Sequence, residues 1–311
     1  MARLLGSQPG ASTGLRRMLE AGEMVLAPGC YDALGARLIE EAGFPAAYMT
    51  GFGSAASRLG RPDVGLMTLP EMVDNARRIA QAVDIPVIAD ADTGYGNSIN
   101  VIRTVHEYEA AGVSAIHLED QVMPKKCGHM EGKQVVPAGE MAAKVAAAVA
   151  ARRSAEFLII ARTDARAVEG LEAALQRARL YREAGADVLF VEAPQSAEEI
   201  ESVARTFPDV PLLFNYAEGG KTPAVTHAFL RELGFKLVIF PLTILLAATV
   251  AIRSALHRIK ADGTPIELVP SMLGFGDFLD FIGIGEIREL EQRFGEHGNG
   301  SHQRERREEQ R

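Results

Sequence analysis

Ser114-Ala115-Ile116-His117-Leu118-Glu119-Asp120-Gln121-Val122-Met123-Pro124-Lys125-Lys126-Cys127-Gly128-His129 is the stretch on which the fold reading turns. It opens as a short apolar run and ends in two carboxylates, a proline, two lysines, a cysteine, a glycine and a histidine. A buried strand emptying into a polar loop has this pattern. Positive charge from the lysines and the imidazole favours a thiolate, so Cys127 is expected to exchange a proton near neutral pH. A solvated charged loop with an incidental cysteine has the same composition, and the rest of the chain has to decide between the two.

Similar apolar runs recur at 24–28, 46–49, 86–89, 157–161, 188–191, 211–214 and 237–240. Helical stretches separate them: 32–42 with Asp32 as N-cap and Gly43 as stop, 69–82, 99–111, 138–151, 171–184, 197–207, 224–233 and 242–261. A leading helix is expected over 13–20. Runs that are apolar almost throughout suit a parallel sheet covered on both faces. About eight strand–helix units predict an α/β chain closed into a (β/α)8 TIM-type barrel. An open doubly wound sheet would carry a glycine-rich turn after its first strand. Here that turn reads Pro28-Gly29-Cys30-Tyr31-Asp32. Two more helices, 272–281 and 286–294, fall outside the barrel count. The expected organisation is a flexible 1–12, a single barrel domain over 13–294 and a disordered charged tail over 295–311.

Composition narrows the function. With 311 residues, 47% hydrophobic and 24% charged, the chain reads as a soluble globular protein. A net charge of -8 argues against nucleic acid as a partner, because phosphate binding needs a basic face. Cys30 and Cys127 lack metal-finger spacing, which points to a reducing, cytoplasmic compartment. The first residues, with Arg3, Arg16 and Arg17, do not read as a signal peptide. No membrane association is expected: no run reaches the roughly 18 apolar residues of a span, and 237–252 is interrupted by Pro241, Thr243 and Thr249.

In such a barrel the chemistry collects in the loops at the C-terminal ends of the strands. Those positions hold Tyr48, Thr50, Gly51 and Gly53, then Asp90 and Asp92, then Glu119 and the loop to His129, then Arg162, Glu192 and Asn215. Asp90 and Asp92, two apart, are expected to point the same way along one strand. With Glu119 and Glu192 they concentrate negative charge that a hard divalent cation would neutralise, and Mg2+ held mostly through water is the natural candidate. A single aspartate there would more readily cap the next helix, but four acids at strand ends favour a metal. Arg162 offers a fork for a carboxylate, Asn215 a further donor, and Thr50-Gly51 close approach of backbone N–H groups to an anion.

Taken together, Tyr48-Met49-Thr50-Gly51, Asp90-Ala91-Asp92-Thr93-Gly94-Tyr95-Gly96, Glu119-Asp120-Gln121, Lys125-Lys126-Cys127-Gly128-His129, Ala161-Arg162-Thr163-Asp164 and Asn215 resemble the isocitrate lyase and phosphoenolpyruvate mutase superfamily over about residues 13 to 294. The Lys-Lys-Cys-Gly-His loop looks like the lyase branch and departs from the mutase pattern. The resemblance implies C-terminal helices swapped between subunits of a homotetramer. It also implies Mg2+, with Mn2+ as a substitute, held by Asp90 with Asp63, Asp92 and Glu119 acting through water. Asp63 enters on the resemblance alone. Substrate carboxylates would meet Thr50, Gly51, Arg162 and Asn215, with Phe52 and Gly128 beside them.

The expected activity is cleavage of a carbon–carbon bond in a 2-hydroxy di- or tricarboxylate, a 2-alkylmalate such as 2,3-dimethylmalate or else 2-methylisocitrate. Tyr48 or Glu192 would act as base, Cys127 as acid, and Lys125 and His129 as further catalytic groups of the loop. The alternatives are an oxaloacetate hydrolase or decarboxylase, a phosphonomutase, or a non-enzymatic carboxylate-binding protein on the same barrel.

Overall fold

The computed structural model describes residues 14–295. The segment 1–12, expected to be flexible, and the expected tail beyond Gly295 lie outside the described residues. Eight strands, β1 (Val25–Cys30), β2 (Ala47–Met49), β3 (Val87–Asp90), β4 (Ala115–Glu119), β5 (Leu158–Thr163), β6 (Val188–Val191), β7 (Leu213–Asn215) and β8 (Leu237–Phe240), form one parallel sheet. Its order is β6-β5-β4-β3-β2-β1-β8-β7. The first and last strands pair with Val25 opposite Leu237. A parallel bridge between Leu189 and Leu212 joins β6 to β7, and Leu189 N–H donates to Pro211 O at 3.0 Å. The expected (β/α)8 TIM-type barrel is the architecture found.

Side chains alternate between the two faces of each strand. One set, including Val25, Ala27, Tyr48, Ile88, Ala115, Ile160, Phe190, Leu213 and Ile239, fills the barrel interior. The other, including Ala89, Ile116, Leu118, Ile159, Ala161, Leu189, Phe214 and Val238, packs beneath the helices. Each fully buried isoleucine or leucine contributes about 1.5–3 kcal/mol relative to leaving it in water. Helix α1 (Gly14–Glu20) adds Leu15 and Leu19 to the interior cluster, among the first residues of the strands, and so floors the barrel.

The outer helices are α2 (Ala33–Glu41), α3 (Gly51–Leu59), α4 (Leu69–Ala82), α5 (Ser98–Ala111), α6 (Ala138–Ala151), α7 (Leu171–Glu183), α8 (Ala197–Thr206) and α9 (His227–Glu232). Asp32 caps α2 as expected, its carboxylate accepting from Gly35 N–H at 2.7 Å. α4 begins with a Thr68/Glu71 capping box and buries Met72, Val73, Ala76 and Ile79 at helical spacing. α9 is shorter than the expected 224–233, since its first turn starts only after the Thr226 cap.

Two expectations need correction. The sequence places a loop after Tyr48-Met49, yet Thr50 caps a helix, α3, which stops at Gly60 in the left-handed region (φ 61°). Asp92 does not continue β3: the strand ends at Asp90, and Asp92 sits in a turn at φ 48°. Strand alternation therefore does not place Asp92; the turn does.

The chain divides into two compact units, 1–248 and 249–311, with the boundary inside α10 (Thr243–Asp262). The first contains the barrel. The second contains the rest of α10 and the two expected extra helices, α11 (Phe275–Phe281) and α12 (Ile284–Phe294). None of these three helices has a buried residue. Val250, Leu256, Phe275 and Phe294 are each more than half exposed. No described helix is long and apolar enough to cross a membrane.

Candidate active site

Continuing the interior face of each strand by two residues replaces carbon with chemistry. Ile88 is followed by Asp90, Ala115 by His117 and Glu119, Ile160 by Arg162, Phe190 by Glu192, and Leu213 by Asn215. One cavity is lined by Tyr48, Thr50, Phe52, Asp63, Asp90, Glu119, Arg162, Glu192 and Asn215, together with Lys125, Lys126, Cys127, Gly128 and His129 of the loop after β4. Of the residues singled out in the sequence, Gly51 and Asp92 stand one bond behind this lining: Gly51 N–H donates to Asp90 Oδ2 at 3.2 Å, and Asp92 lies 2.7 Å from the Lys125 ammonium.

Asp90 is held on both oxygens, since Asp92 N–H donates to its Oδ1 at 2.9 Å. Burial works against its charge, but His117, Lys125 and Arg162 outweigh it and keep the carboxyl below the usual range. A side chain on Gly51 is excluded, because its Cβ would stand 2.3 Å from Asp90 Oδ2. Lys125 bridges Asp63 and Asp92, 2.7 Å from each. Burial pushes Asp92 up to about 6 against the pull of Lys125, with Asp90 and Asp63 adding to the rise. Burial also lifts Glu119 well above the usual range, despite Arg162 and Lys125.

On the opposite side Arg162 clamps Asp164 through Nε (2.9 Å) and Nη2 (3.1 Å) and lies 3.4 Å from Glu119 and 3.3 Å from Glu192. Glu192 receives Asn215 Nδ2 at 3.2 Å and faces His129 Nε2 at 3.2 Å. Lys221 N–H donates to His129 Nδ1 at 3.0 Å, so in the neutral ring the proton sits on Nε2, toward Glu192. Burial opposes the charge on Glu192, yet Arg162 and His129 hold the carboxyl far below its ordinary value.

The loop after β4 is a flap over this mouth. Gln121 and Val135 form an antiparallel bridge at its base, and the Gln121 amide accepts from Lys126 N–H at 2.9 Å and donates to Lys126 O at 2.7 Å. Cys127 departs from the expected thiolate: burial raises its pKa, while the His129 backbone N–H works the other way. The two lysines do not supply the anticipated positive field. Lys125 is committed to Asp63 and Asp92, and Lys126 bonds the carbonyls of Glu131 and Gly132 within the flap itself. The sulfur is thus a thiol, the form in which it can give a proton.

Sequence reasoning missed His117, Lys133 and the role of Asp164. His117 is fully buried, 2.8 Å from Tyr48 OH and 3.4 Å from Asp90 Oδ1, and a lone polar residue inside an apolar run was its signal. Lys133 carried no such signal. Its ammonium donates to Gly128 O and to Asp164 Oδ1, the latter at 2.7 Å.

The four acids expected around a cation supply only hard oxygen donors, the kind that magnesium prefers. Glu119 Oε1 is buried without a hydrogen-bond partner in the protein. Among the described residues no three histidine, cysteine, aspartate or glutamate side chains converge as direct ligands. The residues therefore fit an ion held largely through water and do not fit a direct protein cage.

A family model for phosphoenolpyruvate phosphomutase matches residues 15–260. Over 280 residues the chain is 48% identical to 2,3-dimethylmalate lyase of Eubacterium barkeri, covering 90% of this chain and 96% of that one. It is also 48% identical to 2-methylisocitrate lyase of Aeropyrum pernix, over 86% of each. Among solved structures, oxaloacetate acetylhydrolase in complex with 3,3-difluorooxalacetate superposes with a TM-score of 0.87 at 38% identity, over 93% of this chain and 99% of that one. Phosphonopyruvate hydrolase in complex with oxalate and Mg++ gives a TM-score of 0.84 at 33% identity, over 91% and 99%. The barrel, the acid-lined mouth and these likenesses agree: the chain belongs to the phosphoenolpyruvate mutase/isocitrate lyase superfamily, as an enzyme of its carbon–carbon lyase branch.

Proposed function

We propose that this enzyme is a Mg2+-dependent lyase that splits a 2-hydroxy di- or tricarboxylate, a 2-alkylmalate such as 2,3-dimethylmalate or else 2-methylisocitrate, into a 2-oxo acid and a carboxylate. The observation that carries the reading is the place of Cys127, on a flap over the cavity where Asp90, Arg162 and Asn215 meet; burial there raises the pKa of its thiol. Asp90, with Asp63, Asp92 and Glu119 acting through water, would hold Mg2+ or Mn2+, whose charge would supply acidification of the substrate hydroxyl.

Of the two candidate bases, Glu192 is ionised, whereas burial and then Asp90 keep Tyr48 a phenol. Glu192 takes the hydroxyl proton, the carbon–carbon bond breaks to leave the 2-oxo acid, and the other fragment leaves as an enediolate facing Arg162. Cys127 gives its proton to the enediolate carbon and is reset by the proton Glu192 removed. Thr50, Phe52, Asn215 and Gly128 surround the substrate, Gly51 acts from behind by holding Asp90, and Lys125 and His129 hold the acids and the flap. Flap closure keeps water from quenching the intermediate.

The exposed apolar residues of α10 to α12 support exchange of these helices between subunits of a homotetramer, each chain a single barrel domain over 13–294 with its swapped helices, in the cytoplasm. The test is a panel of 2-hydroxy acids with the released oxo acid trapped: turnover of a 2-alkylmalate or 2-methylisocitrate supports the reading, and inactivity on all of them with Mg2+ present sinks it. The likeness to oxaloacetate acetylhydrolase favours a second reading, hydrolysis of oxaloacetate on the same site. Release of oxalate and acetate from oxaloacetate would establish that one instead.

A further inference from the structure

We infer that Lys133 is the latch of the flap and couples its closure to the aim of Arg162. This deepens the lyase reading and rests on it for the kinetic part of the test. Lys133 stands at the returning end of the flap, yet its side chain is only 2% exposed. The ammonium spans two elements. One contact is the main-chain carbonyl of Gly128, next to Cys127; the other is Asp164 at the end of β5.

Asp164 is itself anchored from behind, its N–H donating to Asp120 Oδ1 at 2.8 Å, and Asp120 also takes Thr163 Oγ1 at 2.7 Å and Tyr181 OH at 2.8 Å. The same Asp164 carboxylate carries the Arg162 fork. One ammonium thus ties the strip bearing the acid to the carboxylate that orients the substrate-facing guanidinium.

The fit at this contact is tight. A Cβ on Gly128 would lie 2.5 Å from Arg162 Nη2 and 2.7 Å from Glu192 Cδ, so the flap backbone rests directly on the catalytic side chains. The rest of the flap has its own anchors: Lys125 on Asp63 and Asp92 before Cys127, and after it His129, which faces Glu192 at 3.2 Å and accepts from Lys221 N–H at 3.0 Å. Of these anchors, Lys133 is the one that joins the backbone carbonyl beside Cys127 to the carboxylate that orients Arg162, a buried charged contact whose loss is costly. Loss of the ammonium therefore frees the flap at Gly128 and leaves Asp164 with Arg162 alone. Lys133 touches no reacting atom in this scheme; it is a positioning residue.

The test reads flap position without needing turnover. The full-length enzyme, Lys133→Met and Lys133→Gln are treated with iodoacetamide, and alkylation of Cys127 and Cys30 is followed separately by mass spectrometry. Cys30 is 0% exposed and reports unfolding. The expected result is that Cys127 reacts about tenfold faster or more in Lys133→Met while Cys30 stays protected. Lys133→Gln, which can still donate to Gly128 O, falls between. Unchanged labelling of Cys127 overturns the proposal, and so does labelling of Cys30 in both variants, which would make Lys133 a folding residue. Where the unmodified enzyme turns over a 2-hydroxy acid, Lys133→Met should lower kcat more than it raises KM, because closure is lost after binding. An unmodified enzyme inactive on every such acid would sink the lyase reading and leave the labelling result standing.

Discussion

The Lys125 ammonium lies 2.7 Å from Asp92 Oδ1 and 2.7 Å from Asp63 Oδ1, so one buried lysine neutralises two carboxylates at the barrel mouth. Removing one partner of such a buried group leaves uncompensated charge and costs about 3–5 kcal/mol. Lys125→Met should therefore lower stability by that order in the presence of a chelator. Added Mg2+ should recover more stability in the variant than in the unmodified protein, because the vacated carboxylates gain a cation. Urea unfolding with EDTA and with Mg2+ checks both; identical metal responses would mean that Asp63 and Asp92 do not face the ion.

Cys127→Ser keeps the size of the flap residue but replaces a thiol with a hydroxyl that is a far weaker acid. Turnover should fall by about 10²–10⁴-fold, the range of a lost general acid, while binding of Mg2+ and of the oxo-acid product stays close to that of the unmodified enzyme. Steady-state kinetics and calorimetry separate the two effects. Retained turnover would remove Cys127 from the proton-transfer step.

Gly51→Ala drives a methyl group onto Asp90, whose Oδ2 would stand 2.3 Å from the new Cβ. The start of α3 and the Asp90 carboxylate cannot both keep their positions. A stability loss of about 1–3 kcal/mol is expected from overpacking, with a larger effect on turnover and Mg2+ affinity than on stability. Unfolding curves and metal titration give the comparison, and a variant with undiminished metal affinity would show that Asp90 does not need this contact.

Burial holds His117 down to about 4 against the pull of Asp90, so the imidazole is neutral in the fold at pH 7. In the unfolded chain a histidine titrates near pH 6.5. Between these values the unfolded chain binds more protons, so this contribution is complete above about pH 6.5 and is lost as the pH falls toward 4. The gap corresponds to about 3 kcal/mol. Asp92, raised to about 6, contributes the opposite slope in the same window, so only a paired comparison isolates His117. His117→Gln should flatten the fall in unfolding free energy from about pH 7 to about pH 4.5 in metal-free buffer. Parallel curves for the two proteins would assign the acid sensitivity elsewhere.

Much of this architecture can be read before any coordinates. The apolar runs name the strands because parallel strands are buried on both faces, and Asp90, Glu119, Arg162 and Asn215 stand where each run turns polar. Helix α3 was hidden because Gly51, Gly53 and two serines weaken its helical signal, although Thr50 and Gly60 mark its ends. Asp92 was placed by the wrong rule, since a left-handed turn is invisible to strand alternation. The thiolate expected at Cys127 fails for a different reason: neighbours in sequence are not neighbours in charge when both lysines turn to other partners. Lys133 could not be found from local pattern at all, because its partner Asp164 lies 31 residues away.

The floor of the barrel couples its leading helix, α1, to its last two strands, β7 and β8. Leu15 and Leu19 share one apolar cluster with Leu213 and Leu237. During synthesis α1 emerges before any strand of the barrel, but its seat is unfinished until β8 has left the ribosome. A nascent chain halted before residue 237 keeps two leucines without their complete apolar socket.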